Sequence, residues 1–273
     1  MILSKQKYLS IIVLNIAIIA VFMSTFMLVE GGELVSTETS SEQIINKKIN
    51  WGIKRNSNHE QPDVGNINRK ILEDNNGICL GNKEKKVIYL TFDNGYEAGY
   101  TNQILDALKQ NKVKATFFIT AHYLNTASEL VQRMIEEGHI VGNHTVNHKS
   151  MPEIADEEIK EEVIKLHQAV YEKFGYKMKY LRPPKGEFSE RTIIATNNLG
   201  YKHVMWSFAY VDWEEKKQPE EQKAQKAILD NLHNGEIMLL HANSKTNANI
   251  LDIIIKQIKA EGYEIKSLDE FEK

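Results

Sequence analysis

Residues 87–92 read VIYLTF, a short apolar run rich in β-formers, and Asp93, Asn94 and Gly95 follow it without a break. Such a run, bounded by turn-forming residues, predicts a strand that delivers its polar residues at its carboxyl end. Downstream, Ile104, Leu105 and Leu108 share one helical face that closes near Asn111, and ATFFIT (115–120) is the next strand. Leu130, Val131, Met134 and Ile135 mark a second amphipathic helix, with Gly138 as its C-cap. The alternation then runs on. Strands are expected at 139–142, 178–182, 203–208, 236–242 and 263–267, and helices at 156–174, 189–199, 220–233 and 248–260. Strands alternating with helices predict an α/β fold of parallel βαβ units, and about seven repeats suit a barrel better than an open sheet. A doubly wound sheet is the alternative.

Upstream of this pattern the chain changes character. Residues 50–84 carry apolar positions such as Trp51, Ile53, Ile71 and Leu80 without a period, which reads as an irregular arm packed on the main domain. Residues 31–48 are polar and read as a tether. Residues 8–29 hold no charged side chain, and these 22 residues as a helix reach roughly 33 Å, enough to cross a hydrocarbon core. Lys5 and Lys7 precede the run and Glu30 follows it, so the positive-inside rule puts the remainder outside the cytoplasm. An uncleaved membrane anchor is expected, with a cleaved signal peptide as the alternative. Three segments result: 1–30, 31–84 and a main domain over 85–273.

Composition narrows the functions. With 42% hydrophobic and 26% charged residues the 273-residue chain is globular, and a net charge of -3 offers no footprint for nucleic acid. Cys79 is the single cysteine, which excludes an intramolecular disulfide and a cysteine-based zinc site.

The chemically capable residues gather just after the expected strands. Asp93 and Asn94 follow the first; His144 and His148 follow the third; Arg182, Pro183 and Pro184 follow the fourth. Asp212 and Trp213 lie beyond the fifth, and His241 ends the sixth. In a parallel barrel these positions share one rim, where barrel enzymes keep their active sites. The i,i+4 spacing of His144 and His148 would place both imidazoles on one side of a helical turn, a grip for a divalent ion. Each residue alone has a plainer reading: a surface histidine pair, a helix cap at Asp93, a surface arginine, a core histidine at His241.

Together, TFDNG (91–95), HTVNH (144–148), RPPKG (182–186), DW (212–213) and LLHA (239–242) resemble, in order, the motifs of polysaccharide deacetylases with the NodB homology domain. TFDNGYE, and NWGIKRN and ICLGN before it, resemble the delta-lactam-biosynthetic de-N-acetylases, which act on muramic acid of the spore cortex. The resemblance implies a distorted (β/α) barrel and a hydrolase acting on N-acetylated peptidoglycan sugars. It implies Asp93 as general base, His241 as general acid and Arg182 as partner of the base. It further implies His144, His148 and Asn94 as ligands of a divalent metal ion, usually zinc, with Trp213, Tyr96, Pro183 and Pro184 at the sugar. Two positions depart from the pattern. Asn94 stands where a ligating aspartate is usual, and Ala209 where an aspartate usually orients the catalytic histidine, so another group must orient His241. A deacetylase of N-acetylglucosamine or chitin-like polymers is one alternative; a catalytically silent glycan-binding module is the other.

Overall fold

The computed structural model describes residues 46–271. The expected membrane helix and most of the tether therefore lie outside the described residues. Among those described, no helix is long and apolar enough to cross a membrane.

A two-residue strand, β1 (Ile49–Asn50), and a helix, α1 (Asn66–Asp74), precede β2 (Val87–Asn94), in which all eight residues are buried. Next come α2 (Thr101–Gln110), β3 (Thr116–Ile119), α3 (Ala121–Thr126), α4 (Ser128–Glu136) and β4 (Ile140–Asn143). The long helix α5 (Asp156–Phe174) begins with Asp156, Glu157 and Glu158, whose charges offset the positive end of its dipole, and stops at left-handed Gly175. β5 (Tyr180–Leu181), β6 (Glu187–Phe188), α6 (Glu190–Asn197), β7 (Lys202–His203) and α7 (Glu221–Leu229) follow, then β8 (Glu236–His241), α8 (Lys245–Ala260) and β9 (Glu264–Lys266).

The main sheet has the order β7-β5-β4-β3-β2-β8, every pair parallel, with β9 beside the start of β2. It is a curled half-barrel rather than an open doubly wound sheet. Residues 204–208 carry the chain from one edge to the other: the Val204 N–H donates to Leu181 O at 2.9 Å, and Phe208 O accepts from Leu239 N–H at 2.8 Å. Ile78 of the arm bridges this gap at Val204. Phe118, Tyr89, Tyr180, Val204 and Ile237 fill the concave side, while a larger apolar layer lies between the sheet and its helices. Packing inside is tight: a Cβ on Gly142 would meet the Phe118 ring at 2.5 Å.

The arm forms a third apolar cluster through Trp51, Leu72, Leu80 and Phe188. β1 pairs antiparallel with β6, Trp51 N–H donates to Gly186 O at 2.9 Å, and Trp51 Nε1 donates to Trp206 O at 2.9 Å. The arm thereby braces the turn that follows β5.

Candidate active site

Register assembles the site. Asp93 and His241 are direct partners across β2 and β8, and the next row, Asn94–Ile119–Asn143–Leu181, ends one residue short of His144 and Arg182. All four functional side chains thus stand at carboxyl ends of parallel strands.

Arg182 is fully buried and donates from Nη1 to Asp93 Oδ1 at 2.8 Å and from Nε to Val204 O at 3.0 Å, with its guanidinium 4.3 Å from the Phe118 ring centre. Burial alone would raise the Asp93 pKa, but Arg182, then His144 and His241, overcome this and hold it below the ordinary aspartate value. Asp93 is therefore an ionised base at neutral pH.

His144 donates from Nδ1 to Arg182 O at 2.8 Å, which fixes the tautomer and leaves Nε2 bare. That Nε2 lies 3.5 Å from Asp93 Oδ2 and 3.1 Å from His148 Nε2. Burial pushes both imidazoles down, His148 to about 4, which favours the neutral form that can ligate a metal. Two nitrogens held at about 2.0–2.1 Å by one tetrahedral ion lie roughly 3.3 Å apart, so this pair fits a shared divalent cation.

The pair is not made by a helical turn, as its spacing predicted. Residues 144–148 form a loop in which Thr145 and His148 take positive φ, 69° and 56°. The loop is pinned from outside. Asn143 Oδ1 accepts from Thr145 N–H at 2.8 Å, and the buried Glu162 on α5 accepts from Asn147 N–H at 2.7 Å and from Asn147 Nδ2 at 2.6 Å.

Asn94 is placed differently from Asp93. Side chains alternate along β2, and Asn94 is not among the residues lining either cavity described below, whereas Asp93 lines both. Its amide is buried beside the Tyr123 hydroxyl, and neither of its polar atoms makes a hydrogen bond of good geometry.

Across the cleft, Asp212 supplies what Ala209 cannot. Its fully buried carboxylate accepts from His241 Nδ1 at 2.7 Å, from the His241 backbone N–H at 2.8 Å and from Asn247 Nδ2 at 2.6 Å. Asn247, held by the Tyr210 hydroxyl, sits in the first turn of α8, where Ser244 caps the helix three residues earlier than its apolar pattern suggested. Burial lowers the His241 pKa, but the Asp212 hydrogen bond and charge, with a smaller push from Asp93, more than reverse it. His241 is thus a protonated acid over a wider pH range than free imidazole. Sequence reasoning marked Asp212 but missed this role, and it missed Asn247 and Glu162 entirely. The available signal was a carboxylate at a strand end beside Trp213.

A cavity of about 710 Å³ is lined by Asp93, His144, His148 and His241 together with Tyr96 and Trp213. A second, of about 650 Å³, shares Asp93, both histidines, Trp213 and His241 and extends toward the arm. The Trp213 ring, 46% exposed, stands 5.3 Å from the His241 ring and forms an apolar wall. Tyr96 donates to Glu215 at 2.5 Å and accepts from Asn243 Nδ2 at 2.7 Å. Pro183 and Pro184 are buried and line neither cavity. They shape a turn that presents Lys185 and Gly186 instead, and a Cβ on Gly186 would come within 2.6 Å of Trp206.

A base held ionised, an acid held protonated and a two-imidazole corner at one barrel rim define a hydrolase site. This chain belongs to the polysaccharide deacetylase family, whose model matches residues 80–204. It is 42% identical to the peptidoglycan-N-acetylmuramic acid deacetylase PdaA of Bacillus subtilis, over 88% of this chain and 92% of that protein. The structure of that protein, described as a family 4 carbohydrate esterase, matches with a TM-score of 0.81, over 84% of this chain and 98% of that one. A peptidoglycan-N-acetylglucosamine deacetylase of Bacillus cereus is 33% identical over 67% of this chain and 66% of that protein.

Proposed function

We propose that this chain removes the acetyl group from N-acetylmuramic acid in peptidoglycan, outside the cytoplasm and anchored by its N-terminal apolar segment, in the formation of delta-lactam. The observation that carries the chemistry is the opposed tuning of Asp93 and His241 across one cleft. Two titratable groups whose surroundings push their proton affinities apart make a base–acid pair at neutral pH. What a divalent cation, zinc by the imidazole donors, supplies when bound to His144 and His148 is Lewis acidity at the acetamide oxygen and at water. Asp93, oriented by Arg182, takes the proton of the attacking water. His241, oriented by Asp212, gives its proton to the departing sugar nitrogen, and acetate and a free amine result. Trp213 and Tyr96 border the sugar and keep bulk water from its face. The choice of muramic acid over N-acetylglucosamine rests on the greater identity and coverage of the first relative.

The test is acetate release from peptidoglycan glycan by the full chain in detergent, with and without a chelator, alongside chitin oligomers. Release from the muramate-bearing glycan, lost with chelator and lowered about 10²–10⁴-fold in Asp93→Asn, is expected. Release from chitin alone would transfer the function to N-acetylglucosamine, and no release with any divalent ion would leave a glycan-binding module.

A further inference from the structure

Two cations face the second cavity, and among the described residues neither is engaged by an acid there. Arg55 from the arm and Lys185 from the turn after β5 both line it, beside Trp206, Val211 and the shared His241. Arg55 is exposed; one guanidinium nitrogen donates to Ala209 O at 2.8 Å, and the group lies 5.4 Å from the Phe208 ring centre. A guanidinium carries five donors in a fixed fork, and the bond to Ala209 O uses one of them. Ala209, whose backbone oxygen accepts that bond, brings no acidic side chain to Arg55. Lys185 is exposed on a backbone with φ 59°, and Glu187, the acid whose ionisation it favours, is paired with Lys48 at 3.3 Å. The opposite flank differs: a third cavity beyond Tyr96 carries Glu97 and Glu215 against Lys245. The groove is cationic on the arm side of the catalytic centre and acid-bearing on the other.

We propose that Arg55 and Lys185 form a carboxylate-recognising subsite that holds the lactyl carboxylate of N-acetylmuramic acid while the adjacent N-acetyl group faces Asp93 and His241. This rests on the reading of the substrate above. Muramic acid differs from glucosamine by that lactyl ether on the carbon next to the N-acetyl carbon, so its carboxylate lies only a few bonds from the reacting amide. Asp93 and His241 line the second cavity as well as the first, so the cations and the catalytic pair share one cavity wall. A guanidinium fork matches a carboxylate in shape as well as charge.

The experiment measures kcat/KM for acetate release by the full chain in detergent on two tetrasaccharides of alternating N-acetylglucosamine and N-acetylmuramic acid. One has free lactyl carboxylates; the other carries them as methylamides. Wild type is expected to prefer the free acid by roughly tenfold, mostly through KM, and the preference should shrink as salt rises. In Arg55→Gln the free-acid to methylamide ratio falls toward one, in Arg55→Lys it is partly restored, and in Lys185→Asn, which tolerates the left-handed backbone, it falls by a smaller factor. A ratio near one in wild type, or a ratio that survives in both Arg55→Gln and Lys185→Asn, overturns the subsite while leaving the deacetylase reading intact. Release from chitotetraose but from neither muramate glycan overturns the substrate reading, and the subsite with it.

Discussion

Replacing Asp212 by Asn tests the catalytic dyad with almost no change of volume. The wild-type carboxylate faces three donors: His241 Nδ1, the His241 backbone N–H and Asn247 Nδ2. The last two converge on Oδ2, so in the variant the single amide oxygen is drawn to them and its NH2 faces His241 Nδ1. A protonated imidazole presents N–H at that nitrogen, so the acid form now meets a donor and the neutral form meets a partner. The lost charge-assisted hydrogen bond is worth about 1.5–3 kcal/mol, and the His241 side chain is only 22% exposed, so solvent screens little of it. Losing it lowers the His241 pKa, because the protonated imidazole no longer has an anionic acceptor at Nδ1. That energy of about 1.5–3 kcal/mol is roughly 13- to 160-fold in rate where His241 must be protonated. Since the acid works only when protonated, its raised pKa in wild type extends activity upward in pH, and the variant's alkaline limb moves down. The assay is kcat and kcat/KM for acetate release across pH 5–10, with thermal melting to show that the variant is folded. An alkaline limb that stays in place, with kcat within about threefold of wild type, would refute the assignment of His241 as the acid poised by Asp212.

Three further outcomes are expected. Glu162→Gln loosens the 144–148 loop by weakening two hydrogen bonds to Asn147, so zinc affinity, read by chelator competition, drops about 10–100-fold while the far-ultraviolet spectrum is unchanged. Unaltered affinity would mean that the loop is set by Asn143 alone. Arg182→Met leaves the buried Asp93 carboxylate without its cation, costs about 3–5 kcal/mol in denaturant unfolding, and moves the acid limb of activity upward as the Asp93 pKa climbs. Arg182→Met combined with Asp93→Asn recovers part of that stability, and its failure to do so would locate the loss in packing against Phe118. Finally, burial pushes His139 and His233 to about 4 and His203 to about 3, so the unfolded chain binds more protons than the folded one between these values and 6.5. Stability is complete above pH 6.5 and is lost as pH falls toward 4, by about 2 kcal/mol per histidine at pH 5. Denaturant midpoints that are flat from pH 7 to 5 would contradict this.

Which parts of the molecule were legible beforehand follows from how local their causes are. α5 matched its expected ends because acids, apolar stripe and terminal glycine all lie within its own residues. α1 escaped notice because its nine residues hold only Ile67, Ile71 and Leu72 as apolar positions, too short a stretch to establish a period, and of these only Leu72 is buried. The expected strands 178–182 and 203–208 are apolar enough, yet only Tyr180–Leu181 and Lys202–His203 pair as strands, because the chain there swings from β5 to β8 with Ile78 between. No local pattern encodes that swing.

The histidine pair and Asp212 carry the lesson to the site. The i,i+4 spacing did bring two imidazoles together, but through left-handed residues held by Glu162, 15 positions from Asn147, rather than through a helical turn. At Ala209, comparison by position recorded a missing carboxylate. The chemistry asks for something different: a buried acceptor 2.7 Å from His241 Nδ1, at whatever place in the chain can reach it. Asp212 reaches it from 29 residues away because residues 204–208 cross to β8 and deliver the next turn against the strand's end. A substituted motif position therefore reports a lost residue and not a lost function, until the space around the catalytic atom has been searched. The same reasoning applies in reverse to Asn94, which occupies a ligand's place in the motif while its buried amide lies beside the Tyr123 hydroxyl.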